Sequence, residues 1–209
     1  GIIKKFDACW VPDVEDAVIN LSGNLGHFKK DLFPLKYIGI LSRMEKLEMD
    51  KTIDILVLLS GPEPQRTILE EKLKNSFKDT EKKVLIIRGV VEKEQKWATF
   101  EKLEMVNFMK SEALEDTINK SEIVISRPGY TTIMDLTVLE KKAFFIPTPG
   151  QYEQEYLAKR LKNLGMVPSC KQKKFTLEKL DQIAVYKGLK TLSHQSQNFS
   201  ELFSLFERK

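Results

Sequence analysis

The chain has 209 residues, a formal net charge of +4, 42% hydrophobic and 31% charged residues. That length allows one good core or a domain plus part of another, and the mild charge excludes a nucleic-acid partner as the organising feature. No apolar run approaches the ~18 residues of a membrane span, and no signal peptide is visible. Cys9 and Cys170 stand single and far apart, so a reducing compartment fits better than a disulfide framework. The two histidines, His27 and His194, join no cluster with metal-ligand spacing, so neither a metal nor a cofactor is expected.

In chain order, residues 1–35 hold two short apolar pieces, 8–11 and 17–21, too little for a core of their own. The chain opens Gly-Ile-Ile rather than on Met, as expected of a fragment of something longer. We read 1–35 as the remnant of a preceding N-terminal domain and its hinge, and 36–190 as one domain. Pro34 leads into Tyr37-Ile38-Gly39-Ile40-Leu41-Ser42-Arg43. From 52 to 188 the period alternates between strand and helix. Strands are expected at 53–59, 84–89, 105–109, 123–126 and 143–146, with a polar segment before the third. Helices are expected at 65–77, 111–120 with Ser111 as N-cap, after Gly129, at 151–164 with Gly165 as C-cap, and at 176–188. Short apolar strands alternating with helices predict an α/β fold with a doubly wound parallel sheet. The stretch 191–209 is expected to be a C-terminal helix, with Leu192, Phe199, Leu202, Phe203 and Phe206 as its apolar stripe.

Ligands of such sheets bind at the carboxyl ends of the strands. Three loops fall there. Ser126-Arg127-Pro128-Gly129-Tyr130-Thr131-Thr132 joins a strand to a helix start with hydroxyls in its first turn. Gly129 leaves the amides uncovered for a phosphate, and Asp135 shares a helix face with Thr131. A phosphate at the helix tip and a diol-binding carboxylate further along suit a nucleotide. Ser60 and Gly61 offer a hydroxyl and backbone N–H groups, although Pro62 and Pro64 lack that N–H, and no P-loop is present. In Pro147-Thr148-Pro149-Gly150-Gln151-Tyr152-Glu153-Gln154, the side chains of Gln151, Glu153 and Gln154 could bind sugar hydroxyls. Complementing the helix dipole explains the acids equally well. An ordinary strand–helix joint is the plain alternative for all three loops.

In this order and register the loops resemble the carboxyl-terminal domain of the GT-B glycosyltransferases, in particular the family 28 group of the lipid II N-acetylglucosamine transferase and the monogalactosyldiacylglycerol synthases. The match runs over about 37–190. Its most specific parts are Val106-Asn107-Phe108-Met109, Ile125 to Gly129, Asp135, and Pro149 to Gln154. The resemblance implies a Rossmann-like domain, the C-terminal half of a two-domain GT-B fold. It implies that Phe108 and Met109 present backbone to the base, that Ser126, Arg127, Gly129, Tyr130, Thr131 and Thr132 hold the diphosphate with Ser60 and Gly61, and that Asp135 binds the ribose. It further implies that Gln151, Glu153 and Gln154 contact the donor sugar and that Arg43 faces the phosphates. Asp135 departs from the family's usual Glu, and Pro128 from its usual Ala.

The implied reaction moves a sugar from a UDP-type donor to an acceptor hydroxyl. The sequence has no Asp-x-Asp, which points away from a metal clamp. Position 127, where retaining relatives carry an acid, is Arg, which points to inversion. The catalytic base belongs to the N-terminal domain, so this chain alone is not expected to be active. Partners implied are a UDP-sugar, an acceptor glycan or lipid, and that N-terminal domain. The implied location is cytoplasmic, with peripheral contact at the inner face of the membrane. Leu21 to His27 superficially resembles the N-terminal domain's glycine-rich loop but sits too near the hinge to act as it. A nucleotide-sugar epimerase of the same fold and a non-catalytic nucleotide-binding subunit remain the alternatives.

Overall fold

Among the residues described by the computed structural model (8–16, 18–27, 34–189 and 203), six strands form the main sheet, with the strand Ile53–Leu58 near its middle. A two-stranded parallel pair precedes it, β1 (Cys9–Val11) with β2 (Leu35–Tyr37). The main sheet contains β3 (Ile53–Leu58), β4 (Val84–Ile87), β5 (Trp97–Phe100), β6 (Leu103–Val106), β7 (Ser121–Ser126) and β8 (Lys142–Phe145), in the order β5-β6-β4-β3-β7-β8. Every pairing is parallel except β5 with β6. Leu56 of β3 pairs with Leu85 on one side and Val124 on the other, and all three are buried. Helices cover both faces, so the middles of the central strands, 55–58, 84–87 and 123–125, read as apolar runs.

The helices are α1 (Gln65–Phe77), α2 (Ser111–Asn119), α3 (Tyr130–Val138) and α4 (Tyr152–Asn163). On α1, Leu69, Leu73 and Phe77 recur every four residues and pack with Ile55, Phe144 and Phe175 on one face of the sheet. On the other face Ile118, Ile133, Leu136, Leu157 and Leu161 of the remaining helices surround Leu56 and Val124.

Several elements differ from expectation. Strand β6 covers 103–106 and ends before Phe108, because Asn107 turns the chain: its side-chain oxygen accepts from the amides of Lys96 (2.8 Å) and Phe108 (3.0 Å). The polar segment ahead of it contains β5, an exposed antiparallel edge strand with no buried residue to mark it. Ser111 is the first residue of α2, and Lys110 occupies its N-cap. Leu164 is the C-cap of α4, and Gly165 follows it with φ of +66°. The helix expected at 176–188 is a 3-10 helix, Leu177–Val185. Leu177, Leu180 and Ile183 recur every three residues and all join the α1-side core, which suits three residues per turn rather than 3.6.

The described part of segment 1–35 packs on the sheet domain. Val14 and Leu21 are buried with α3 and α4, and Arg160 of α4 donates to the Asn20 carbonyl at 3.0 Å. The expected C-terminal helix 191–209 lies outside the described residues apart from Phe203, whose ring meets Trp10 edge-on at 5.9 Å.

Candidate functional site

The chain leaves β3 towards one edge of the sheet and leaves β7 towards the other. Their outgoing loops therefore diverge and open a crevice at the carboxyl ends of the strands. Ser60 and Gly61 border it from β3, Ser126 to Gly129 from β7, and Pro147 to Gln151 from β8. Gly89, after β4, has φ of +68°, and a Cβ there would come within 2.3 Å of the Leu59 carbonyl oxygen. Only glycine lets that neighbouring loop pass so close.

Gly129 is the N-cap of α3, with φ −68° and ψ 143°, a conformation open to any residue. Its value is therefore an uncovered helix end rather than a special backbone angle. The amides of Tyr130, Thr131 and Thr132 have no intrahelical acceptor, no side-chain cap and no acid in the first turn. The other described α-helices bring a carboxylate to their amino ends. Glu63 accepts from the Thr67 amide of α1 at 3.2 Å, α2 has Glu112, and α4 has Glu153 and Glu155. Among the described α-helices, the α3 tip is thus the one whose positive end meets no carboxylate.

One turn further, half-buried Asp135 accepts a hydrogen bond from Ser42 Oγ at 2.7 Å, and the Met44 amide donates to the same hydroxyl at 3.0 Å. Burial holds the Asp135 carboxyl above the usual carboxylate range, while the Ser42 bond and the Arg43 charge pull it back. Arg43 itself is exposed. The tertiary structure therefore brings the 39–43 segment to the acid on α3.

Other expected contacts are placed differently. Arg127 is 1% exposed and cannot reach a ligand with its side chain. Its guanidinium donates to the carbonyls of Ile146 (2.9 Å), Pro147 (3.0 Å) and Gln65 (3.0 Å), and to Gln172 Oε1 (2.6 Å). It ties the loops after β7 and β8 to the start of α1. All four acceptors are neutral, and burial lowers its pKa to about 10, so it stays cationic beneath the crevice at neutral pH. Tyr130 sends its hydroxyl to the Pro12 carbonyl at 2.7 Å, anchoring the N-terminal segment, and burial pushes that hydroxyl's pKa upward. The Phe108 amide donates to Asn107, and its carbonyl accepts from Gln95 Nε2 at 2.9 Å, so both backbone groups are already engaged. Met109 turns under α2, where its sulfur accepts from Thr117 Oγ1 at 3.4 Å. Gln154 is buried and accepts from the Thr148 amide at 2.8 Å. Gln151 and Glu153 are exposed at the start of α4.

Among the described residues, three buried side-chain polar atoms have no partner in the protein: Ser126 Oγ, Arg127 Nε and Thr148 Oγ1. All three lie at the ends of the adjacent strands β7 and β8. Sequence reasoning missed Ser42, Thr148 and the Gln65–Gln172 support of Arg127. Ser42 stood beside Arg43 in the matched motif, but no spacing along the chain links it to residue 135. The site is an open crevice. A cavity of about 620 Å³ lies instead between α2 and the starts of β3 and β4, and of the expected site residues only Met109 lines it. A second, of about 460 Å³, adjoins the crevice past Pro147 and Pro149.

The glycosyltransferase family 28 C-terminal domain matches residues 55–205. This chain belongs to glycosyltransferase family 28. The UDP-N-acetylglucosamine--N-acetylmuramyl-(pentapeptide) pyrophosphoryl-undecaprenol N-acetylglucosamine transferase of Buchnera aphidicola is 33% identical over 92 residues, 44% of this chain and 25% of that protein. Two solved structures share the fold. Acinetobacter baumannii MurG is 20% identical with a TM-score of 0.52, over 78% of this chain and 51% of that one. The kitacinnamycin glycosyltransferase is 12% identical with a TM-score of 0.53, over 84% and 49%. The family 28 chain thus spans a quarter of the curated relative's length and about half of these structures. No helix among its described residues is long and apolar enough to cross a membrane.

Proposed function

We propose that this family 28 domain holds the nucleotide diphosphate of a UDP-sugar while the sugar passes to an acceptor hydroxyl. The observation that carries the reading is the α3 amino end: it opens at the crevice with free amides and no acid, one turn before an Asp135 held by Ser42. Negative charge grows on the leaving diphosphate, and fixed dipoles aimed at it lower the barrier. The amides of Tyr130 to Thr132 supply those dipoles, Arg127 adds buried positive charge from below, and exposed Arg43 closes the outer side. Asp135 accepts from the ribose hydroxyls, and Gln151 and Glu153 meet the sugar. The Buchnera relative's name supports UDP as the nucleotide and a lipid-linked acceptor.

In this reading residues 36–190 are the donor-binding domain, and 1–35 are the end of the preceding domain and hinge. The protein works in the cytoplasm against the inner face of the membrane. The diphosphate is neutralised without a metal clamp, and transfer is a single displacement with inversion. Support for inversion is Arg127, a buried strut eight residues before Asp135 where a retaining relative carries an acid. Titration calorimetry with UDP tests the site. Saturable heat unchanged by EDTA is expected. Folded protein giving no heat at millimolar UDP would reject the site, and a strict Mg²⁺ or Mn²⁺ requirement would reject the metal-free part.

A further inference from the structure

We infer that Thr148 is a ligand-contacting residue of the donor site, its hydroxyl kept dry and unpartnered to meet the diphosphate. The inference rests on the proposed nucleotide reading and adds a residue to it. Thr148 is 3% exposed, and Thr148 Oγ1 has no hydrogen-bond partner in the protein. A buried hydroxyl in that state costs stability, so its retention calls for a reason. Its backbone is fixed: the amide donates to Gln154 Oε1 at 2.8 Å, and the carbonyl accepts from the Gln151 amide at 3.1 Å. These two bonds fix the main chain from which the hydroxyl projects at the start of α4.

What lies over the hydroxyl is Gly61. A Cβ built on Gly61 would meet Thr148 Oγ1 first, at 3.4 Å, and no other heavy atom within 4 Å. The loop after β3 and the loop after β8 thus meet across the end of β7, the strand that leads to Gly129. Gly61 has φ of +101° and is exposed, so only a bare, solvent-facing turn separates the hydroxyl from the crevice. A diphosphate drawn to the α3 amides displaces that turn and takes the proton of Thr148 Oγ1 in a hydrogen bond. Ser126 Oγ, equally buried and unpartnered, lies on the strand between the two loops. Arg127 makes the same corner positive through a guanidinium whose four acceptors are all neutral. Two hydroxyl donors and one buried cation in one corner select an anionic oxygen rather than an apolar or cationic group.

The test is Thr148→Val, with Thr148→Ser as the control that keeps the hydroxyl. Each variant is measured for thermal unfolding without ligand and for UDP and UMP binding by calorimetry. Removing the unpartnered hydroxyl should raise the ligand-free Tm by roughly 2–4 °C. It should weaken UDP about tenfold, UMP by less, and Thr148→Ser should bind UDP like the parent chain. Stability and affinity moving in opposite directions is the signature of a group held for a ligand. A Thr148→Val chain binding UDP as tightly as the parent overturns the inference while leaving the proposed function standing. Equal losses for UDP and UMP overturn the assignment to the diphosphate. A parent chain that binds no UDP overturns both.

Discussion

Ser42 Oγ donates a 2.7 Å hydrogen bond to Asp135 Oδ1 across 93 positions of sequence. This contact joins the segment that enters the domain to the helix that opens at the crevice. It leaves Oδ2 of Asp135 free, and it orients the carboxylate while Arg43, the next residue, adds positive charge beside it. One turn separates this acid from the α3 amides. The site therefore pairs an anion-seeking helix tip with a fixed hydrogen-bond acceptor.

Replacing Asp135 by Asn should weaken UDP binding by about 1.5–3 kcal/mol, the range for a hydrogen bond to a charged group. The penalty should shrink for 2′-deoxy-UDP, and a cycle over side chain and ribose hydroxyl measures the coupling. Zero coupling removes Asp135 from the site. Ligand-free stability should move the other way. Burial raises the folded-state pKa above the unfolded value of 3.8. Between those two values the folded state binds more protons, so stability falls as pH rises through that window and stays lower at neutral pH. Asn removes that penalty, and urea unfolding at pH 7 should show the gain.

Ser42→Ala removes the hydrogen bond that favours the charged carboxylate. The Asp135 pKa should climb further, because burial, the largest cause of its shift, then acts with less opposition. Carboxyl-carbon NMR titration reads this directly. An unchanged midpoint would show that Ser42 does not bond the carboxylate in solution. UDP affinity should fall by about 0.5–1.5 kcal/mol as the acid loses its fixed orientation.

Arg127→Met should destabilise the chain by at least about 1–3 kcal/mol, because it strands buried acceptors on three carbonyls and Gln172. Arg127→Lys should recover little. One ammonium on a flexible stem cannot reproduce a planar fork that reaches four acceptors. Chemical unfolding of both variants checks this, and near-parental stability of Arg127→Lys would contradict it.

Lys141 is buried at the carboxyl end of α2, donating to the carbonyls of Asn119 and Ser121 at 2.9 Å each, with Lys51 donating to the same Asn119 oxygen. Burial, aided by Lys51, pushes its pKa down to about 7 from the ordinary 10.5. Between those values the unfolded chain holds a proton that the folded chain lacks. Stability should therefore rise with pH through that window, by at most about 1.4 kcal/mol per pH unit from this group. Lys141→Met should flatten that slope in unfolding experiments at pH 7, 8 and 9.

Much of the fold is legible along the chain. The continuous apolar run at 55–59 declares a strand buried on both faces, and Leu69, Leu73 and Phe77 declare the covered face of α1. Both signals are local, because burial imposes a period on neighbouring residues. Strand β5 escaped because an exposed edge strand has no buried face to write into its sequence. The segment at 177–185 matched a helix, and only its packing against the α1-side core selected the three-residue period.

The candidate site divides in the same way. Gly129, the hydroxyls after it and Asp135 lie within one turn-and-helix unit, so the sequence by itself determined their register and common face. Which side chains remain for a ligand was decided only by the tertiary structure. Arg127 and Tyr130 sit in the same motif, yet the carbonyls that claim them come from residues 12, 65, 146 and 147. Ser42 reaches Asp135, and Thr148 comes to lie beside Gly61, only when the sheet assembles. A side chain's hydrogen-bonding capacity is finite, and partners distant in sequence consume it or leave it free. Residue type and spacing therefore locate a site, while the packing of distant segments decides which of its groups can act.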